Sequence, residues 1–304
     1  MKLAIIGWPI GHSKSPPMQT AALAALGLDG EYTAHAVAPD ELAQFVEHAP
    51  QKGFRGVNVT IPHKEAALKL CAPDELATRV GAVNTLVFDG DKPAGYNTDV
   101  HGFLEMAREL GAPLDGTVVM LGAGGGARAV VYGLLQREVQ RVYVINRTIE
   151  RAEALQKAFG QRVRPAGWQE MTGLLGGAGL LVNTTTLGMT GQPPLEINLR
   201  CPASLVVADL VYDPLITGLL ATARERGLRT ADGLGMLLHQ AVRGFELWFG
   251  IRPEVTPELR ALLEADLIKH EERADEPGAK TKVKPAKKPK PPRGNKKRGE
   301  GFSD

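Results

Sequence analysis

An α/β fold with largely parallel sheets is what the sequence predicts, and three observations predict it. Short apolar runs alternate with helix-like stretches along most of the chain, the pattern of strands joined by helical crossovers. One such run, at residues 117–121, passes into a glycine-rich turn and then a helix. Apolar residues give out beyond residue 270, so the α/β body ends near there. Hydrophobic residues make up 43% of the 304, enough for two buried cores.

Taken in order, residues 2–6 read as the first strand. The run is too short for the apolar core of a signal peptide and stops at Gly7 and Pro9. Further strands are expected at 32–37, 56–60, 83–88, 117–121, 141–145, 180–183, 205–209 and 229–231. Helices are expected at 39–49, 100–110, 128–136, 149–159 and 217–226. A boundary inside the helix beginning near Val100 divides the body into a first domain, 1–100, and a second, 101–234. Residues 235–270 are strongly helical, with Leu237, Leu238, Val242, Phe245, Leu247 and Trp248, and would complete the first domain. Residues 271–304 form a Lys/Pro-rich tail that buries too little apolar surface to order itself, and we expect it to be disordered.

Charge follows the same division. Residues 279–304 hold ten Lys/Arg and two Asp/Glu, so the net +2 of the chain conceals a body of net −6. The tail reads as a solubilising extension, or else as a weak attachment to RNA or another polyanion; the acidic body offers nucleic acid nothing. Aromatic residues, at 5%, are too few for a base-stacking platform. Cys71 and Cys201 have no CxxC partner, which suits a reducing compartment and suggests no metal site. No run approaches the length of a membrane span; we expect a cytoplasmic protein.

Gly122-Ala123-Gly124-Gly125-Gly126-Ala127 follows the strand at 117–121 and opens a helix. Glycines let the backbone turn tightly and approach a pyrophosphate, whose charge suits the helix N-terminus. A GxGxxA match is weak alone; the strand before and helix after strengthen it. At the end of the next strand a dinucleotide site for NAD usually carries an acidic residue. Here stand Asn146, Arg147, Thr148 and Arg151. The two arginines suit a 2′-phosphate, and Thr148 adds a hydroxyl and a helix cap. The cofactor predicted is therefore NADP. The bland alternative is a solvated first turn.

Four polar motifs accompany strand ends, where α/β sheets place ligands. Ser13 and Ser15, before a helix that opens with Pro16, suit a small carboxylate; alternatively Ser15 caps that helix. Thr60 and Lys64 follow a buried strand; a lysine there is more often solvated. Asn84 begins another strand, and elsewhere such an asparagine satisfies local backbone. Asp99 opens a helix and would in any case favour its positive end. Each is weak singly. Together they surround one crevice beside a dinucleotide site, a set fitted to a polyhydroxylated carboxylic acid rather than to a metal cluster or a Ser-His-Asp hydrolase.

With these residues assembled, the chain resembles the shikimate dehydrogenase family. The resemblance rests on Gly11-His12-Ser13-Lys14-Ser15-Pro16, Asn58-Val59-Thr60-Ile61-Pro62-His63-Lys64, Gly81-Ala82-Val83-Asn84-Thr85 and Asn97-Thr98-Asp99. It continues through Gly122–Ala127, Asn146–Arg151, Asp209-Leu210-Val211-Tyr212 and the run from Gly233 to Ala241. It spans residues 1 to about 268 in order. It implies reversible reduction of 3-dehydroshikimate to shikimate with NADPH, on the way to chorismate and the aromatic amino acids. It implies a substrate domain, a Rossmann-like NADP domain, and a monomer or homodimer. It makes Lys64 and Asp99 the catalytic pair, gives Ser13 and Ser15 the substrate carboxylate, and sets Thr60, Asn84, Asp99, Tyr212 and Gln240 around the ring. Glu75, Leu210 and Gly233 match positions near the substrate or the nicotinamide. Gln19-Thr20 stands where the family commonly has His-Asn or a similar pair. The alternatives are a quinate/shikimate dehydrogenase using NAD or NADP, and a non-catalytic NADP-binding regulator on the same fold.

Overall fold

The computed structural model describes residues 1–11 and 13–275, with side chains as far as residue 268. His12 and residues 276–304, the bulk of the expected tail, lie outside the described residues. Two six-stranded sheets organise the chain. The first half runs β1 (Lys2–Gly7), α1 (Ser15–Ala25), β2 (Glu31–Ala36), α2 (Leu42–His48), β3 (Phe54–Val59), α3 (Lys64–Ala67), β4 (Ala72–Pro73), α4 (Glu75–Val80), β5 (Thr85–Val87), β6 (Ala94–Tyr96) and α5 (Asp99–Leu110). The second runs β7 (Thr117–Leu121), α6 (Gly125–Leu135), β8 (Arg141–Ile145), α7 (Ile149–Phe159), β9 (Val163–Ala166), α8 (Met171–Leu175), β10 (Leu180–Asn183), β11 (Val206–Asp209), α9 (Gly218–Glu225), β12 (Arg229–Ala231), α10 (Gly233–Phe249) and α11 (Pro257–Asp275).

The second sheet is wholly parallel, in the order β12-β11-β10-β7-β8-β9. The chain winds outward from β7 in both directions, so the order reverses between β7 and β10, where an α/β sheet opens a crevice for ligands. Both faces are covered: Val118 and Met120 enter one core, Val119 and Leu121 the other. That double burial is why the strand reads as an unbroken apolar run.

The first sheet has the order β2-β1-β3-β5-β6-β4 and is mixed. Strands β1, β2 and β3 are parallel, but β5 runs antiparallel to both β3 and β6. Strands β4, β6 and β9 are absent from the sequence expectation. They are short, two contain proline, and β4 and β9 lie at sheet edges, where a missing N–H is tolerated and alternation is too brief to read.

The helical segment expected at 235–270 is two helices. Gly250, with φ 69°, takes the left-handed conformation that ends α10, its N–H bonded to the Glu246 carbonyl, and Pro257 starts α11. The backbone of residues 271–275 continues α11, so the helix runs past the boundary set for the tail. Helix α10 packs along α5, and Trp248 reaches the first sheet, donating from Nε1 to the Leu86 carbonyl at 3.1 Å. A Cβ on Gly102 of α5 would lie 2.6 Å from the Met236 carbonyl oxygen; glycine lets the two helices touch backbone to backbone. Helix α11 adds Leu263 and Leu267 to a cluster with Met18 of α1 and Leu234, Leu237 and Leu238 of α10.

Candidate active site

Strand direction collects the polar residues. Because β5 is antiparallel, its start lies at the same edge of the sheet as the ends of β3 and β6: Asn58 pairs with Thr85, and Thr85 with Tyr96. Thr60, Asn84 and the 97–99 turn therefore meet, although one precedes a strand and two follow one. Backbone bonds set the spacing. The Val59 N–H donates to Asn84 O at 2.8 Å and the Val83 N–H to Lys64 O at 2.8 Å. His63, 1% exposed, joins its Nε2 to Val37 O at 2.8 Å and pins the start of α3 to the segment after β2.

At the centre, Lys64 Nζ donates to Asp99 Oδ2 at 2.6 Å. The lysine side chain is 15% exposed and the aspartate 5%, so the pair is largely sheltered from water. Asn84 Nδ2 donates to the other carboxylate oxygen at 2.9 Å and to Thr98 Oγ1 at 2.9 Å. Asn84 Oδ1 accepts from the Thr98 N–H at 2.7 Å. Gln240, from α10, sets Oε1 3.4 Å from both Asn84 Nδ2 and Thr98 Oγ1.

Each of the two serines stands beside a tyrosine. Ser15 is buried and lies beside the Tyr32 hydroxyl, whose pKa is raised well above its usual value by burial. Ser13 lies beside Tyr212, whose pKa is pushed up to about 12 by burial, so the phenol stays protonated. Tyr32 donates onward to Asn58 Oδ1 at 2.6 Å, and Asn58 Nδ2 to Thr85 Oγ1 at 3.1 Å and Asn84 O at 3.3 Å. A buried polar chain thus runs from Tyr32, beside Ser15, to Asn84 and Asp99. Tyr32, Asn58 and Thr98 are absent from the sequence-derived site. Asn58 and Thr98 lie inside the 58–64 and 97–99 motifs; Tyr32, on β2, carries no local signal. Ser15 lies inside α1 with Lys14 at the N-cap position, so it does not cap that helix; its N–H bonds instead to Ser13 Oγ at 3.3 Å. Gln19 is buried and donates to the Ala241 carbonyl at 3.5 Å, joining α1 to α10 beside Gln240.

Across the cleft lies the glycine-rich turn. Gly122 has φ 102° and its Cβ position is filled by Thr184, so the turn is closed to other residues. Cβ atoms on Gly124 or Gly126 would meet nothing within 4 Å, and no side chain caps the N-terminus of α6. Open backbone before an uncapped eleven-residue helix fits a pyrophosphate. A Cβ on Gly125 would come 2.9 Å from Lys64 Cβ, so this turn faces the Lys64–Asp99 pair directly. At the end of β8, Asn146 and Arg147 line a groove with Ile149 and Trp168, and both Arg147 and Arg151 are exposed, as a phosphate ligand requires. Thr148 occupies the N-cap position of α7 but accepts no bond from the helix, which corrects the expected cap; Asn146 Nδ2 donates to its carbonyl at 2.7 Å. Arg151 Nη2 reaches Glu65 Oε1 at 3.3 Å, joining α7 to α3.

Leu210 and Val211 follow β11 and press against Gly233, where a Cβ would collide with the Leu210 carbonyl, and Tyr212 comes next in the same turn. Glu75 stands apart: it is exposed in the first turn of α4 and ion-paired with Arg79 at 2.6 Å. Among the described residues no cluster could hold a metal ion, and no helix is long and apolar enough to cross a membrane.

Three family models match the chain: a shikimate dehydrogenase substrate-binding domain over residues 5–86, a shikimate/quinate 5-dehydrogenase over 105–188, and a shikimate 5′-dehydrogenase C-terminal domain over 233–263. A shikimate dehydrogenase (NADP(+)) of Rhodopseudomonas palustris (strain TIE-1) is 59% identical over 86% of this chain and 96% of its own length. Among solved structures, shikimate 5-dehydrogenase from Thermus thermophilus, in complex with NADP(H) and shikimate, is 38% identical with a TM-score of 0.77, covering 88% of this chain and 99% of the other. A quinate dehydrogenase from Corynebacterium glutamicum in complex with NAD is 34% identical with a TM-score of 0.79, over 87% and 99%.

Proposed function

The chain belongs to the shikimate dehydrogenase family, and on that footing we propose that it interconverts 3-dehydroshikimate and shikimate through Lys64 and Asp99. It is an NADP-dependent oxidoreductase. The observation that carries the mechanism is the 2.6 Å contact of Lys64 Nζ with Asp99 Oδ2, set opposite the glycine-rich turn.

NADPH, when bound, supplies the hydride. The work of the chain is then to place the ketone and manage the proton. As hydride reaches the carbonyl carbon, charge grows on its oxygen; the Lys64 ammonium stabilises that charge and gives up its proton. In the oxidative direction Lys64 takes the hydroxyl proton. Asp99 accepts from Lys64 through one oxygen and from Asn84 through the other, so the ammonium is held in one orientation. Ser13 and Ser15 bind the substrate carboxylate with neutral hydroxyl donors. Thr60, Asn84, Tyr212 and Gln240 bind ring substituents, as does Asp99. Residues 1–100 with 235–270 act as the substrate domain and 101–234 as the NADP domain. In the latter Gly122–Ala127 receive the pyrophosphate, Asn146, Arg147, Thr148 and Arg151 the 2′-phosphate side, and Leu210 and Gly233 border the nicotinamide.

The test is a matrix of initial rates for shikimate and quinate, each with NADP and NAD. Rates dominated by shikimate with NADP are expected. Dominance of quinate or NAD would move the chain to the quinate/shikimate branch and overturn the role given to Arg147 and Arg151. Tight NADPH binding without turnover of either acid would point to the regulator. Lys64→Ala should lower kcat by about 10²–10⁴ with little change in KM; a loss confined to KM would remove the acid/base role.

A further inference from the structure

We propose that Asp209 is a positioning residue, whose buried carboxylate holds the two loops flanking the substrate and nicotinamide side of the cleft. Asp209 is the last residue of β11 and is 0% exposed. Its Oδ1 accepts from Asn183 Nδ2 at 2.8 Å and from the Val211 N–H at 3.0 Å. Its Oδ2 accepts from Thr217 Oγ1 at 2.7 Å. These donors come from three places: the end of β10, the turn after β11, and the N-cap of α9, where Thr217 Oγ1 also accepts from the Leu220 N–H at 3.3 Å. Asn183 extends the set. Its Oδ1 accepts from the Thr185 N–H at 3.0 Å and Oγ1 at 2.7 Å, which fixes the turn after β10. That turn is the one whose Thr184 closes over Gly122.

The turn after β11 is held at its other side too. The Leu210 N–H donates to Asn183 O at 2.9 Å, and the Gly233 N–H to Val211 O at 3.1 Å. Between these anchors project Leu210 and Tyr212, the latter beside Ser13. A buried charge is costly unless donors converge on it, and burial pushes this carboxyl up to about 6. An apolar residue continuing Val206, Val207 and Ala208 would fill the strand end without that cost. What it would not do is offer two oxygens to donors arriving from three segments. A carboxylate does, and two of the segments so joined, the turns after β10 and β11, border the cleft. The inference rests on the roles given above to Leu210, Tyr212 and Gly233.

The experiment uses the full chain and compares Asp209→Ala, Asp209→Asn and Thr217→Val by thermal melting, KM for shikimate and NADP, kcat, and NADPH affinity by fluorescence titration. Asp209→Ala frees the Val211 and Asn183 donors and should raise both KM values at least about 10-fold. Asp209→Asn keeps one acceptor oxygen for those two donors and should stay within about 3-fold of the natural chain. Thr217→Val removes the third donor and the α9 cap; it should lower the melting temperature and leave both KM values in place. Natural KM values in Asp209→Ala would overturn the proposal. So would a Thr217→Val chain whose KM values rise as far at an equal loss of melting temperature, since destabilisation alone would then explain both. If Asp209→Ala does not fold, Asp209→Ser, whose hydroxyl is too short to reach both donors, takes its place with the same expectation. NADPH affinity separates this proposal from the functional reading: an unmodified chain that ignores shikimate overturns that reading, while weaker NADPH binding in Asp209→Ala, with Asp209→Asn unaffected, still upholds the positioning role and equal affinity in all the variants overturns it.

Discussion

A lysine five residues beyond a strand is solvated in most proteins. Lys64 differs because Val83 holds its carbonyl, His63 is tied to Val37, and Asp99 waits at the end of its side chain. The residue types of this centre were legible: Lys64, Asp99, Asn84, Ser13 and Ser15 each stood in a polar turn beside an apolar strand. Tyr32 was not, because an aromatic residue on a strand is ordinary and its hydroxyl gains meaning only from Asn58 across the sheet. Tyr32→Phe leaves Asn58 Oδ1 without that buried donor and should cost about 1–3 kcal/mol of stability by urea unfolding, with NADPH affinity unchanged. Conversely, Thr148 was read from its type as a helix cap, and its extended backbone puts it at the right position without the bond.

At the scale of elements, the long strands and helices followed from periodicity, and 117–121, 141–145, 149–159 and 180–183 have the expected bounds. Periodicity does not carry strand direction. A parallel β5 would have sent Asn84 to the far edge of the sheet; the antiparallel pairing with β3 returns it to Lys64. The α5–α10 contact is likewise a matter of packing. Gly102→Val should force the helices apart at Met236 and Gln240, costing about 1–3 kcal/mol. Because Gln240 moves with α10, the variant should also raise KM for shikimate more than KM for NADP, a ratio that steady-state kinetics measures. Equal KM changes would mean that Gln240 is not set by this contact.

Across the whole molecule, α3 is where the two sheets' halves meet: Lys64 abuts Gly125, and Glu65 reaches Arg151. Arg151 is exposed, so its pair with Glu65 contributes little to stability, and the guanidinium is available to an anion that offers more. Arg151→Ser should raise KM for NADP about 10-fold and leave KM for NAD nearly unchanged; parallel changes with both would count against a 2′-phosphate contact. Asp209 makes a second prediction at this scale. Its folded pKa, about 6, lies above the ordinary 3.8, so the folded chain binds this proton more tightly than the unfolded one. The stability it contributes is present below about pH 4 and is lost as pH rises through about 6, a difference of about 3 kcal/mol. Urea unfolding between pH 4 and 7 should show that fall in the natural chain relative to Asp209→Asn, in which other carboxylates titrate alike. Parallel pH profiles for the two would contradict the raised pKa.

Local sequence was enough to settle the fold class, the glycine-rich turn with its strand and helix, the arginines in place of an acidic residue, and the polar residues of the cleft. Periodicity, turn chemistry and residue type are all written in neighbouring positions. It took the folded chain to show that β5 runs antiparallel, that Tyr32 is joined through Asn58 to Asn84 and Asp99, that the helical segment at 235–270 breaks at Gly250, and that Asp209 gathers donors from three segments. Most of these depend on groups far apart in the chain, whose pairing is selected by burial and by the need to satisfy every polar group left inside.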